Sequence, residues 1–135
     1  QEVEFGGRGL PQPIPHDALA FRIKGHQPAT TIALVATDAM LTKPQAHRLA
    51  SMADDGLARA IRPAHAPLDG DTVFAAATGH RPLVDPMRDL AELGHVAADC
   101  LARAIARGVY EATALPFAGS LPDWKSRYTR NTAKP

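Results

Sequence analysis

The sequence predicts an α+β domain, and three observations predict it. Two short apolar runs, 31–36 and 72–77, are bracketed by polar or turn residues, as buried strands are. Each run is followed by a longer segment with apolar residues at helical spacing. The 135 residues suffice for one domain and are too few for two of ordinary size.

The elements follow in order. Residues 1–29 carry Gly6, Gly7, Gly9, Pro11, Pro13, Pro15 and Gly25, a spacing that favours irregular extended chain. They form a connector, with a short strand near 21–24. The first strand opens on Thr30-Thr31 and ends at Asp38; its near-continuous apolar character predicts cover on both faces. Thr42 then suits an N-cap and Pro44 the first helical turn, and Ala46, Leu49, Ala53, Leu57 and Ala60 make a helical stripe ending before Pro63. Asp69-Gly70-Asp71 leads into the second strand, which predicts the same double cover. Asp85-Pro86 starts a second helix with its stripe at Leu90, Leu93, Ala97, Leu101, Ala104, Ile105, Val109 and Ala112. Residues 30–115 are thus a strand-helix-strand-helix unit, and 116–135, rich in Gly, Pro, Ser and basic residues, are surface tail. Two strands are too few for an independently stable sheet, so strands from outside this chain, or from a second copy, are expected to complete it.

Bulk properties exclude several function classes. Fifteen basic and fourteen acidic residues leave a formal charge of +1, which gives no electrostatic footprint for nucleic acid or an anionic membrane. No apolar run reaches the roughly 18 residues a membrane span needs, and no secretory leader is visible; the expected location is cytoplasmic. The single Cys100 falls on the apolar side of the second helix and is expected to be a packed thiol. His16, His26, His47, His65, His80 and His95 form no i, i+4 pair and have no Cys-x-x-Cys companion, so they read as solvated or loop residues and no metal is expected. No Gly-rich phosphate loop or Gly-x-Ser-x-Gly elbow is present, and no cofactor is expected.

Two features carry possible chemistry. Thr30 heads a strand, and a chain cut between Ala29 and Thr30 would give that residue a hydroxyl nucleophile beside its own α-amine. An α-amine titrates near 7.7–8.0 when unperturbed, which suits a base at neutral pH. Asp69 and Asp71 flank Gly70 just before the other strand, where they either make an ordinary turn or orient the threonine.

The segments Thr30-Thr-Ile-Ala-Leu-Val-Ala-Thr-Asp-Ala39, Gly56-Leu-Ala-Arg-Ala-Ile-Arg-Pro63 and Asp69-Gly-Asp-Thr-Val-Phe-Ala75 resemble the self-processing N-terminal-nucleophile hydrolases of the DmpA type. That family includes aminopeptidase/amidases, β-peptidyl aminopeptidases, the nylon-oligomer endohydrolase and a pantetheine hydrolase. The resemblance covers roughly residues 30–112 and corresponds to the smaller, C-terminal subunit. It implies a four-layer αββα sandwich completed by a larger N-terminal part of the same precursor, and a homo-oligomer of processed heterodimers. It also implies self-cleavage between Ala29 and Thr30, Thr30 as nucleophile, and Asp69 and Asp71 as its acidic partners. The two aspartates place the chain with the threonine-type members rather than the peptidases, which implies a linear amide such as an aminohexanoate oligomer or a pantetheine-type amide. Ala29 departs from the asparagine that threonine-type members commonly have there. Two other readings stay open: a non-catalytic relative serving as an assembly subunit, and an unrelated small α+β binding domain.

Overall fold

The computed structural model describes residues 16 and 30–128. The rest of the connector, including its expected strand near 21–24, His26 and Ala29, lies outside the described residues. The order is β1 (Ile32–Ala39), α1 (Lys43–Ala60), β2 (Thr72–Arg81), α2 (Pro86–Glu111) and a short α3 (Trp124–Tyr128). The domain is therefore mixed helix and strand, with one two-stranded parallel sheet.

Parallel pairing follows from the connection, because α1 carries the chain back across the sheet before β2 begins. The register runs one to one from Ile32 opposite Thr72 to Thr37 opposite Ala77. Beyond it the pairing jumps to Ala39 opposite Arg81, so β2 takes more residues than β1 over that step. Gly79 sits in this irregularity at φ 74°, the left-handed region where a residue lacking Cβ is at ease.

Local chemistry sets the helix starts. The Thr42 amide donates to Gln45 Oε1 at 2.8 Å, and Pro44 occupies the first turn of α1. The Asp85 carboxylate accepts from the amides of Met87 and Arg88, both at 3.2 Å, at the head of α2. Ile61 closes α1 by donating to Leu57 O at 2.8 Å.

The core lies between the helices and one face of the sheet: Ala39, Leu49, Ala53, Leu57, Ala98, Leu101 and Ala102. Small residues let the helices approach. A Cβ on Gly56 would stand 2.3 Å from Ala98 O, and one on Gly94 would stand 2.2 Å from Met52 Cε. The buried stripe of α2 is accordingly Gly94, Ala98, Leu101 and Ala102, while Ala104, Val109 and Ala112 of the expected stripe are exposed. We expect Gly56→Ala to destabilise the domain by about 2 kcal/mol despite its better helix propensity, because the clash is with backbone. Chemical denaturation of the full-length protein checks this.

The described residues supply only part of the expected strand cover, and one expectation needs correction. The strands are not covered on both faces among the described residues: β1 alternates exposed and half-buried, with Ile32 73% and Leu34 65% exposed and Phe74 of β2 56% exposed. The helices cover one face, and no described element lies on the other. Cys100 is also exposed rather than packed. It lines an open apolar groove between α2 and β1 with Leu34, Leu93 and Val96, so it is on the apolar side as expected, but nothing described fills that groove.

Within the residues read as tail, α3 forms and docks on the end of α2. Trp124 packs tilted against Tyr110 with ring centroids 5.4 Å apart, and Lys125 lies 4.5 Å over the Tyr110 ring while bonding Glu111 at 2.8 Å. That bond to Glu111 holds the Lys125 ammonium above its ordinary range. Asp123 caps α3 through the Ser126 hydroxyl and amide, which keeps its carboxyl below the usual range. No helix among the described residues is long and apolar enough to cross a membrane.

Candidate active site

Parallel pairing puts the heads of β1 and β2 at one end of the sheet, and this is where the candidate residues meet. With Ile32 opposite Thr72, the residues ahead of them face each other in turn, Thr31 beside Asp71 and Thr30 beside Gly70. Thr31 O accepts from the Thr72 amide at 2.9 Å, which extends the ladder to the threonines.

Asp71 turns its carboxylate toward β1. Its Oδ1 accepts from the Thr31 amide at 2.9 Å, across 40 residues of sequence, and its side chain is only 5% exposed. The bond lands on the residue directly after Thr30 and fixes the backbone there. A buried carboxylate is costly unless paired, so this arrangement is a strong local constraint.

Asp69 works on its own loop. Its Oδ2 accepts from the Ala66 amide at 2.9 Å, while its amide donates to Ala66 O at 2.8 Å. This reciprocal clamp shapes the turn that delivers Gly70. Asp69 thus bonds within its own turn, while Asp71 reaches across to the Thr31 amide at the head of β1.

Gly70 lies between the two aspartates and carries the Thr30 side chain on it. A Cβ added to Gly70 would stand 2.6 Å from Thr30 Oγ1 and 3.5 Å from Thr30 Cγ2. The hydroxyl is therefore packed against bare backbone, a close approach that any other residue would obstruct. Thr30 itself remains exposed, accessible to a reacting partner.

Sequence reasoning missed His65. It stands in the loop before the turn, at φ 58°, with Nδ1 4.0 Å from Asp71 Oδ2 and Nε2 3.8 Å from Asp54 Oδ2 on α1. No sequence pattern marks it, because His65 is 11 residues from Asp54 and six from Asp71 with a loop between. Gly70 had a signal, the glycine between two acids, but the signal reads equally well as a turn. Among the described residues no group of His, Cys, Asp and Glu is arranged to hold a metal ion.

The comparisons with known proteins bear on the whole unit. The family model for peptidase family S58 matches residues 3–120. The chain is 46% identical over 109 residues to uncharacterized aminopeptidases of Mycobacterium tuberculosis and Mycobacterium bovis, covering 73% of this chain and 31% of each relative. It is 50% identical over 93 residues to an uncharacterized aminopeptidase of Mycobacterium leprae, covering 62% of this chain and 26% of the relative. The chain thus spans about a third of the length of the curated relatives it matches. With the model spanning both strand heads and both long helices, the chain belongs to peptidase family S58, the DmpA family.

Proposed function

We propose that this chain is the nucleophile-bearing part of a self-processing amide hydrolase, with Thr30 as the nucleophile. The observation that carries the reading is the strand-head geometry: an exposed Thr30 hydroxyl seated on Gly70, beside a buried Asp71 that grips the next amide. Family membership supports peptidase chemistry, and the aminopeptidase names of the relatives point the same way.

In the first reaction the Thr30 hydroxyl attacks the Ala29 carbonyl, the Ala29–Thr30 C–N bond breaks as the ester forms, and the hydroxyl proton passes to the freed Thr30 amine. Water then hydrolyses the ester to the Ala29 carboxylate and restores the Thr30 hydroxyl. In the second, that amine takes the proton from the hydroxyl as Oγ1 attacks a substrate amide carbonyl. The ammonium returns the proton to the leaving amine, an acyl-threonine remains, and water hydrolyses it. Asp71 holds the backbone directly after the nucleophile, and Asp69 shapes the turn beneath it. The substrate class is a peptide-like or linear amide, such as an aminohexanoate oligomer or a pantetheine-type amide.

The open face of the sheet, with Ile32, Leu34 and Phe74, fits the second sheet of a four-layer sandwich. We assign that sheet to the larger N-terminal part of the same precursor, which also supplies the remaining substrate contacts, with the processed pairs assembling into a homo-oligomer.

Intact mass and N-terminal sequencing of the full-length protein test the reading. A new terminus at Thr30 is the expected result. A chain that stays whole, or is cut elsewhere, rules out the mechanism as written.

A further inference from the structure

We propose that His65 is a positioning residue for this site, acting through Asp71: standing between Asp71 and Asp54, its ring keeps the Asp71 carboxylate turned toward the Thr31 amide. The proposal rests on the functional reading above for its catalytic consequence, and on geometry alone for its structural one.

Three observations carry it. The Asp71 side chain is 5% exposed, so its charge has lost most of its hydration and requires a partner within the protein. One oxygen, Oδ1, is committed to the Thr31 amide, and the other, Oδ2, faces His65 Nδ1 at 4.0 Å. The second ring nitrogen faces Asp54 Oδ2 at 3.8 Å, so the imidazole lies between one carboxylate from α1 and one from the head of β2. Both separations exceed direct hydrogen-bond length, so the ring acts on the two carboxylates across a short gap or through a bridging water. His47 and Ser51 of α1 line the same cleft as Asp54 and Asp71, and the His65 imidazole stands within 4.0 Å of both acids.

The backbone offers a rival explanation that can be separated. His65 has φ 58°, a left-handed conformation that Asn, Asp and His enter more readily than other residues. If shape alone were needed, asparagine would serve equally well. His65→Asn therefore removes the imidazole while keeping the conformation, and His65→Lys places a polar group capable of facing both acids there without the ring.

The test uses the full-length protein and two readouts. Amide hydrogen exchange at Thr31 reports the Asp71 bond without requiring any hydrolysis. His65→Asn is expected to speed that exchange about 10-fold while the Leu34 and Val35 amides keep their protection. Hydrolysis should show kcat lowered about 10-fold with KM within about twofold of the parent, since positioning rather than substrate binding is lost. His65→Lys is expected to recover most of both. Unchanged Thr31 exchange in His65→Asn overturns the proposal, as does a lysine variant no better than the asparagine one. If the parent never exposes Thr30 as a terminus, the functional reading fails while the exchange data still decide whether His65 secures Asp71.

Discussion

Thr30→Ala is expected to leave the full-length protein uncut ahead of residue 30 and to lower amide hydrolysis by roughly 10⁴-fold or more, because nucleophile and processing hydroxyl are the same atom. The substitution should be nearly neutral for stability, since Thr30 is exposed and stands ahead of the first residue of β1. Thr31→Ala is the control. It keeps the amide that Asp71 grips and loses only a β-branched side chain, so cleavage and turnover should stay within a few-fold of the parent. Mass spectrometry of the purified chain, with turnover of a chromogenic amide, reads both. Exchanged behaviour of the two variants would move the nucleophile by one residue.

Gly70→Ala is expected to have the next largest effect, and of a different kind. The added methyl would stand 2.6 Å from Thr30 Oγ1, inside contact distance, so the hydroxyl must rotate or the strand heads must part. Rotating one exposed side chain costs little stability, about 1 kcal/mol or less. A misplacement near 1 Å at the attacking atom, by contrast, lowers turnover by roughly 100-fold. A variant with near-parent thermal stability, slow processing and low kcat is the expected outcome. Parent-like turnover would show that the Thr30 hydroxyl does not react from its seat on Gly70.

Much of this was legible from residues alone, for identifiable reasons. Both strands and both long helices were readable because Pro44 and Asp85-Pro86 punctuate the chain where the helices begin. That the two threonines and Asp69-Gly70-Asp71 stand at one end of the sheet followed from reading both as strand heads, provided the strands are parallel neighbours; that Asp71 bonds the Thr31 amide, and Asp69 the Ala66 amide, did not. The contact stripe of α2 was misread because the pattern follows large apolar side chains, whereas close helix packing here selects Gly94 and Ala98. Ala104, Val109 and Ala112 fit the helical period yet are exposed. Cover on both faces was read from a continuous apolar run; the described residues supply one face of it, and the open face with Ile32, Leu34 and Phe74 is what a sheet awaiting a layer from outside the chain looks like. His65 was invisible for a simpler reason: its role depends on a loop folding back between α1 and β2, and no periodicity encodes that.

The jump in pairing near Gly79 divides the sheet into two regimes. From Ile32 to Thr37 each residue of β1 has one opposite number, so the strand heads are held at fixed distance from the last regular pair. Past that pair the ladder already tolerates surplus chain. Insertions or deletions at that far end have a place to be absorbed before they reach the threonine, and the reacting end of the sheet is thereby insulated from length variation at the other.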